Sequence, residues 1–211
     1  PFTGIHITEK GLDYLENYVR EVREVIGYEV PLAVDHFGHV CVEDCIRFAR
    51  FGLGLQFDLV ISGINKGLNM GTDIMYSGTA AAVFEAANLG IKAVAVSVQP
   101  SKYDHATEPL DDVLAYFREH KLFEKCGIYN VNVVPGGKGI RITRQGGPFY
   151  SDDFLPQGDD MYMPTGRMVY QNQNDLTLDS DCVMSGYTSI MPLTTNRADM
   201  PVYEALKTLN D

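Results

Sequence analysis

The chain has 211 residues, 45% of them hydrophobic and 21% charged, with a formal net charge of -11 at pH 7. That is the composition of an ordinary globular protein with one good-sized core, and a charge so negative argues against a nucleic-acid polymer or an anionic membrane as its main partner. No apolar run reaches transmembrane length, no signal-peptide pattern opens the chain, and a first residue of Pro suggests a fragment or a processed protein.

Residues 8–27 read as a helix, with Thr8 as cap, Leu12, Leu15, Val19, Val22 and Ile26 at helical spacing, and Gly27 as its end. Residues 29–34 (EVPLAV) read as a buried strand, 35–39 (DHFGH) as the loop at its carboxyl end, and 42–50 as a second helix with Glu43 and Asp44 in its first turn. His36, His39, Cys41 and Cys45 are zinc-ligand types, but their spacing matches no standard finger, and the two cysteines read as the buried side of that helix. With Cys126 and Cys182 they show no secreted disulfide framework, so a reducing cytoplasm is expected.

The stretch 58–90 carries the chemistry. A short apolar strand, DLVIS, breaks at Ser62-Gly63. A loop with glycines at Gly63, Gly67 and Gly71 follows, ending at Ser77-Gly78-Thr79 before an alanine-rich helix, 79–89. A strand that opens through a Gly-rich loop into a helix N-terminus suits an anion, because the first-turn N–H groups lack partners within the helix and the helix dipole adds positive character. Glycines let the loop backbone approach a ligand. No lysine and hydroxyl pair follows the last glycine, so this is not a Walker loop.

Beyond it, 92–97 (KAVAVS) reads as a strand buried on both faces. Residues 109–120 read as a helix with Leu110, Val113, Leu114 and Phe117 on one side, and 129–134 and 139–145 as strands joined by Pro135-Gly136-Gly137. From Gly146 to Asn174 the Gly, Pro, Asp and Asn content predicts hairpins and loops outside the core sheet, with Met and Tyr suited to an interface. Asp179-Ser180-Asp181 precedes the segment 183–193, and a short helix, 201–209, closes the chain. The whole is expected to be one α/β domain, 1–211, with a three-layer, mainly parallel, Rossmann-like sheet flanked by helices and a hairpin arm at 146–178.

SGIN-K-G-x-N-x-G-T-D-x-x-YSGT, at 62–79, resembles the signature of the SurE family of metal-dependent phosphatases acting on nucleoside monophosphates, and the resemblance runs over about 51–211. It implies 5′-nucleotidase chemistry with Mg2+ or Mn2+, Asn65 as an oxygen ligand of the metal, and Ser77, Gly78 and Thr79 on the phosphate oxygens, with Gly67 and Asn69 shaping the loop wall. Asn65, Ser77 and Thr79 are the catalytic candidates it implies. The substrate would be a nucleoside monophosphate or another small phosphomonoester, and the assembly a homodimer or tetramer built through the arm. The resemblance also implies two metal-binding aspartates in an NDDG motif. Phe2 and Thr3 stand at their nearest counterpart here, so impaired turnover is expected unless Asp35 supplies a substitute metal ligand. The first fifty or so residues resemble instead a helix–strand–helix piece of an enolase-superfamily sugar-acid dehydratase, in which Asp35 would match a Mg2+-binding Asp and His36 or His39 a proton-transfer His. Two alternatives to a phosphatase stand beside it: a non-catalytic nucleotide- or phosphate-binding oligomer, and a dehydratase fragment.

Overall fold

The computed structural model describes residues 7–30, 32 and 58–209. Helix α1 spans Glu9–Ile26, capped by Thr8, whose Oγ1 accepts the Gly11 N–H at 3.2 Å. It stops at Gly27, which adopts φ +72°, a value glycine reaches without a Cβ penalty. The strand expected at 29–34 does not begin where the apolar pattern places it. Glu29 and Val30 form a bend, because the Arg23 guanidinium folds the chain back onto α1 by donating to the carbonyls of Gly27 and Val30, both at 2.8 Å. The rest of that strand, the loop with Asp35 and the helix at 42–50 lie outside the described residues.

The central sheet has the order β1-β2-β3-β7-β4, with β1 at Leu59–Lys66, β2 at Lys92–Val98, β3 at Ile128–Val133, β4 at Ile140–Ile142 and β7 at Thr188–Pro192. Strands β1, β2 and β3 run parallel, β7 pairs antiparallel with β3, and β4 runs parallel to β7. The sheet is therefore mainly parallel, as expected. A second sheet holds only β5, Tyr150–Gly158, and β6, Met161–Met168. Their turn has Asp159 and Asp160 at φ +48° and +58°, the double left-handed conformation of a two-residue hairpin loop.

Helices cover both faces of β1–β3. On one, α2, Gly78–Asn88, sets Val83 and Ala86 against Ala93, Ala95 and Ile128. The small side chains let helix and sheet approach closely. On the other, α3, Leu110–Glu119, and the single-turn α4, Leu122–Lys125, set Val113, Phe117 and Leu122 against Val94, Val96, Val98, Tyr129 and Val131. Each buried Val or Phe contributes roughly 1.5–3 kcal/mol, so this is the stronger half of the core. Leu114, expected inside, is 37% exposed, because the helix turns only Val113 and Phe117 fully to the sheet. Two further helices, α5 at Asp179–Met184 and α6 at Met200–Leu206, precede and follow β7. Helix α5 is buried almost throughout; α6 buries none of its residues.

Strand β1 does not break at Ser62-Gly63. It runs on to Lys66, and its register against β2 shifts between Ser62 and Asn65. The reason is steric. Gly63 has φ +121°, and a Cβ there would lie 2.2 Å from the Val96 carbonyl oxygen. The glycine admits a neighbouring strand, as glycines at sheet irregularities do.

Candidate functional site

The carboxyl ends of β1, β2 and β3 bring three polar residues into line: Asn65 pairs with Ser97 and Ser97 with Asn132. Ser97 and Asn132 are fully buried and Asn65 is half-buried. The chain leaves β1 at this edge and returns as α2, so the helix N-terminus opens on the edge that carries Asn65. Crevices outside strand carboxyl ends are where open α/β sheets bind ligands.

The loop between Asn65 and Ser77 is held from beneath. The Asn65 side-chain N–H donates to the Gly67 carbonyl at 2.9 Å, which turns its Oδ1 away from that bond. The Gly67 N–H donates to the Val98 carbonyl at 2.9 Å. Asn69 is buried, and its side-chain amide donates to Ser97 Oγ at 2.7 Å. Its main chain is gripped by β3: Asn132 accepts the Asn69 N–H at 2.9 Å and donates to the Asn69 carbonyl at 2.8 Å, and Asn130 donates to the same carbonyl at 2.8 Å. Asn69 is thus held to the sheet through both its side chain and its main chain. The sequence reading passed over Ser97, Asn130 and Asn132. Two asparagines at i and i+2 in an otherwise apolar strand were the available signal, since Asn is depleted in strands and this spacing places both on one face.

After Met70 a 3-10 turn, Gly71–Tyr76, leads into α2. Ser77 caps α2, its Oγ accepting the Ala80 N–H at 3.1 Å, which leaves its O–H available as a donor. The first intrahelical bond runs from the Ala81 N–H to the Ser77 carbonyl at 2.9 Å. The N–H groups of Gly78 and Thr79 precede it and are not used by the helix. Asn65, Ser77, Gly78 and Thr79 are thus borne by one strand–loop–helix unit, while Asp35 lies outside the described residues. A cleft lined by Glu108, Asp112, Val134 and Thr188 opens beside the end of β3 on the α3 face. Its two carboxylates make it a poor seat for a phosphate.

Two carboxylates that the sequence reading did not use anchor this region. Asp179 accepts the N–H groups of Gly71 at 2.9 Å, Gly146 at 2.8 Å and Ser180 at 2.8 Å, and burial raises its pKa although these bonds pull it down. Asp181 accepts from the Tyr170 hydroxyl at 2.8 Å and from the N–H groups of Gln173 and Asp175. The Tyr170 hydroxyl is pushed up to about 12, by burial first and then by its hydrogen bond to Asp181 and that carboxylate's charge. A tyrosine whose pKa is raised by folding contributes stability that is complete below its ordinary value of 10.0 and lost as pH rises towards about 12. Thermal unfolding followed from pH 8 to 12 should show the difference between the native chain and Tyr170→Phe shrinking across that window. A constant difference would mean that Tyr170 does not bond Asp181 as a neutral donor.

A family profile described as Survival protein SurE matches residues 40–152. The "5'-nucleotidase SurE" of Natranaerobius thermophilus is 35% identical over 178 residues, covering 77% of this chain and 68% of its own length. The protein of the same name from Mannheimia succiniciproducens is 32% identical over 200 residues, covering 86% of this chain and 78% of its own. The crystal structure of the SurE protein from Aquifex aeolicus superposes with a TM-score of 0.62 at 24% identity, covering 92% of this chain and 94% of its own, and shares the fold. The last two alignments reach into the first fifty residues, and the comparisons lend no support to an enolase-superfamily origin for them. The family profile, the identities and the shared coverage together establish that the chain belongs to the SurE family.

Proposed function

We propose that the chain is a phosphomonoesterase of the 5′-nucleotidase type, hydrolysing nucleoside monophosphates with the phosphate seated against Ser77, Gly78 and Thr79. The observation that carries this reading is the unit β1–loop–α2, in which the strand bearing Asn65 leads into a helix whose first N–H groups, at Gly78 and Thr79, have no partner within the helix. The Ser77 O–H and the N–H groups of Gly78 and Thr79 are aligned donors for phosphoryl oxygens, helped by the helix dipole. The names of the relatives agree with that substrate class.

Mg2+ or Mn2+ belongs to the proposal, with Asn65 as one oxygen ligand and Asp35 as the substitute carboxylate. The described residues alone do not complete such a site. Among them no three His, Cys, Asp or Glu side chains come together, and a hard divalent cation takes several oxygens, carboxylates among them. Among the described residues, Ser77, Gly78 and Thr79 are therefore assigned phosphate binding, and Asn65 is assigned one ligand position of a metal site that they do not complete.

The proposed assembly is a homodimer or tetramer through the β5–β6 arm, which exposes Phe154, Leu155, Tyr162 and Met163. The proposed location is the cytoplasm. Among the described residues Cys126 and Cys182 are free thiols, and no helix is long and apolar enough to cross a membrane.

The test is hydrolysis of an aryl phosphate and of 5′-AMP with Mn2+ or Mg2+, then with excess EDTA. Turnover should need the metal, and Asn65→Ala should lower kcat/KM by a factor on the order of 100, the usual scale for an electrostatic contact made at the reacting group. Turnover unaffected by EDTA would remove the metal from the proposal. Binding of 5′-AMP without turnover under any metal would favour the non-catalytic nucleotide-binding oligomer.

A further inference from the structure

Asp179 and Asp181 lie on α5, with 0% and 1% of their surface exposed, and the proposed phosphate seat uses neither. Their partners differ in a way that matters. Among the described residues, the Asp181 carboxylate bonds only the returning side of the arm, at Tyr170, Gln173 and Asp175. Asp179 bonds three separate segments: Gly71 in the loop that runs into Ser77, Gly146 at the root of the outgoing side of the arm, and Ser180 in its own helix. Other contacts join the first two segments. The Thr72 N–H donates to the Gly147 carbonyl at 3.4 Å, and the Tyr150 N–H to the Asp73 carboxylate at 2.9 Å. Met70 packs with Phe149 and Val183. The fit at the root leaves no room for a side chain: a Cβ on Gly146 would lie 2.6 Å from Ser180 Oγ and 2.9 Å from Asp179 Oδ1.

We infer that Asp179 is a positioning residue, which locks the loop leading into Ser77-Gly78-Thr79 to the root of the arm so that arm and phosphate seat behave as one body. The inference deepens the proposed function and rests on it for the identity of the ligand. The joint itself does not depend on turnover.

The test compares Asp179→Asn with Asp181→Asn in the full chain, by amide hydrogen exchange and by inhibition of aryl phosphate hydrolysis with inorganic phosphate. Asparagine at 179 turns one acceptor into a donor that faces a main-chain N–H, so a charge-assisted bond is lost. Exchange in 68–80 and 146–150 should then quicken roughly tenfold, the scale of one such bond, and the Ki of phosphate should rise by about the same factor. Asp181→Asn should quicken 169–175 and leave both 68–80 and Ki unchanged. No change in 68–80 on Asp179→Asn, or an equal change on Asp181→Asn, would overturn the inference. If Asp179→Asn does not fold, the native chain decides it: the Gly71 and Gly146 N–H groups, both held by Asp179, should open together and exchange with the same protection. Protection that differs between these two groups by more than about tenfold overturns the inference. If the native chain does not hydrolyse phosphate esters, the proposed function fails while the exchange comparison still decides the joint.

Discussion

Asn132→Ala is expected to lower the unfolding free energy by about 2–4 kcal/mol, and Asn130→Ala, two residues away on the same face, by about 1 kcal/mol or less. Both side chains are fully buried and both donate to the Asn69 carbonyl at 2.8 Å. Only Asn132 also accepts the Asn69 N–H. Its removal strands a buried main-chain donor, which costs the full desolvation of that group, whereas the Asn69 carbonyl keeps its other partner either way. The Asn130 Oδ1 is buried with no partner among the described residues, so truncation there also removes a standing penalty. The two truncations delete the same volume, and the cavity contributions largely cancel in the comparison. A loss of a few kcal/mol is a large share of the 5–15 kcal/mol of a typical domain. Urea midpoints with unchanged slope would report it. Equal costs at the two positions would show that the grip on Asn69 does not depend on its N–H.

What the sequence revealed was the part written in local pattern. The cap at Thr8, the stop at Gly27 and the buried run 92–97 each depend on neighbours within a few residues, and each stands where periodicity and capping chemistry put it. The partners that hold the site are remote. Asn69 meets Asn132 across 63 positions, and Gly71 meets Asp179 across 108. No periodicity marks such pairs, so α5 and its carboxylates went unread. The arm was legible as composition, because turn residues and exposed Met and Tyr are local signals, but its attachment to the site loop was not. The glycines of the loop were read as room for a ligand. At Gly63 and Gly71, both at positive φ, the missing Cβ makes room for the carbonyls of Val96 and Gly147. A missing Cβ is a local fact, and what fills the space is a tertiary one.

Gly71→Ala is accordingly expected to cost about 4 kcal/mol or more, the range reserved for buried overlap and strain, and to abolish phosphate ester hydrolysis with it. Gly71 sits at φ +54°, and a Cβ there would lie 1.8 Å from the Gly147 carbonyl oxygen and 3.0 Å from its carbon. Both contacts are backbone, so no side-chain rotation relieves them. The loop must leave Gly147, and in leaving it loosens the Thr72 bond to Gly147 and the Gly71 bond to Asp179. Gly136→Ala separates overlap from conformation. Gly136 also has a left-handed φ, +67°, but a Cβ there meets nothing within 4 Å. Its cost should therefore be the conformational one alone, about 1–2 kcal/mol. Thermal or urea unfolding of the two variants side by side gives the comparison. If Gly71→Ala were no worse than Gly136→Ala, the close approach of Gly147 to the site loop would be wrong, and with it the tie between the arm and the phosphate seat.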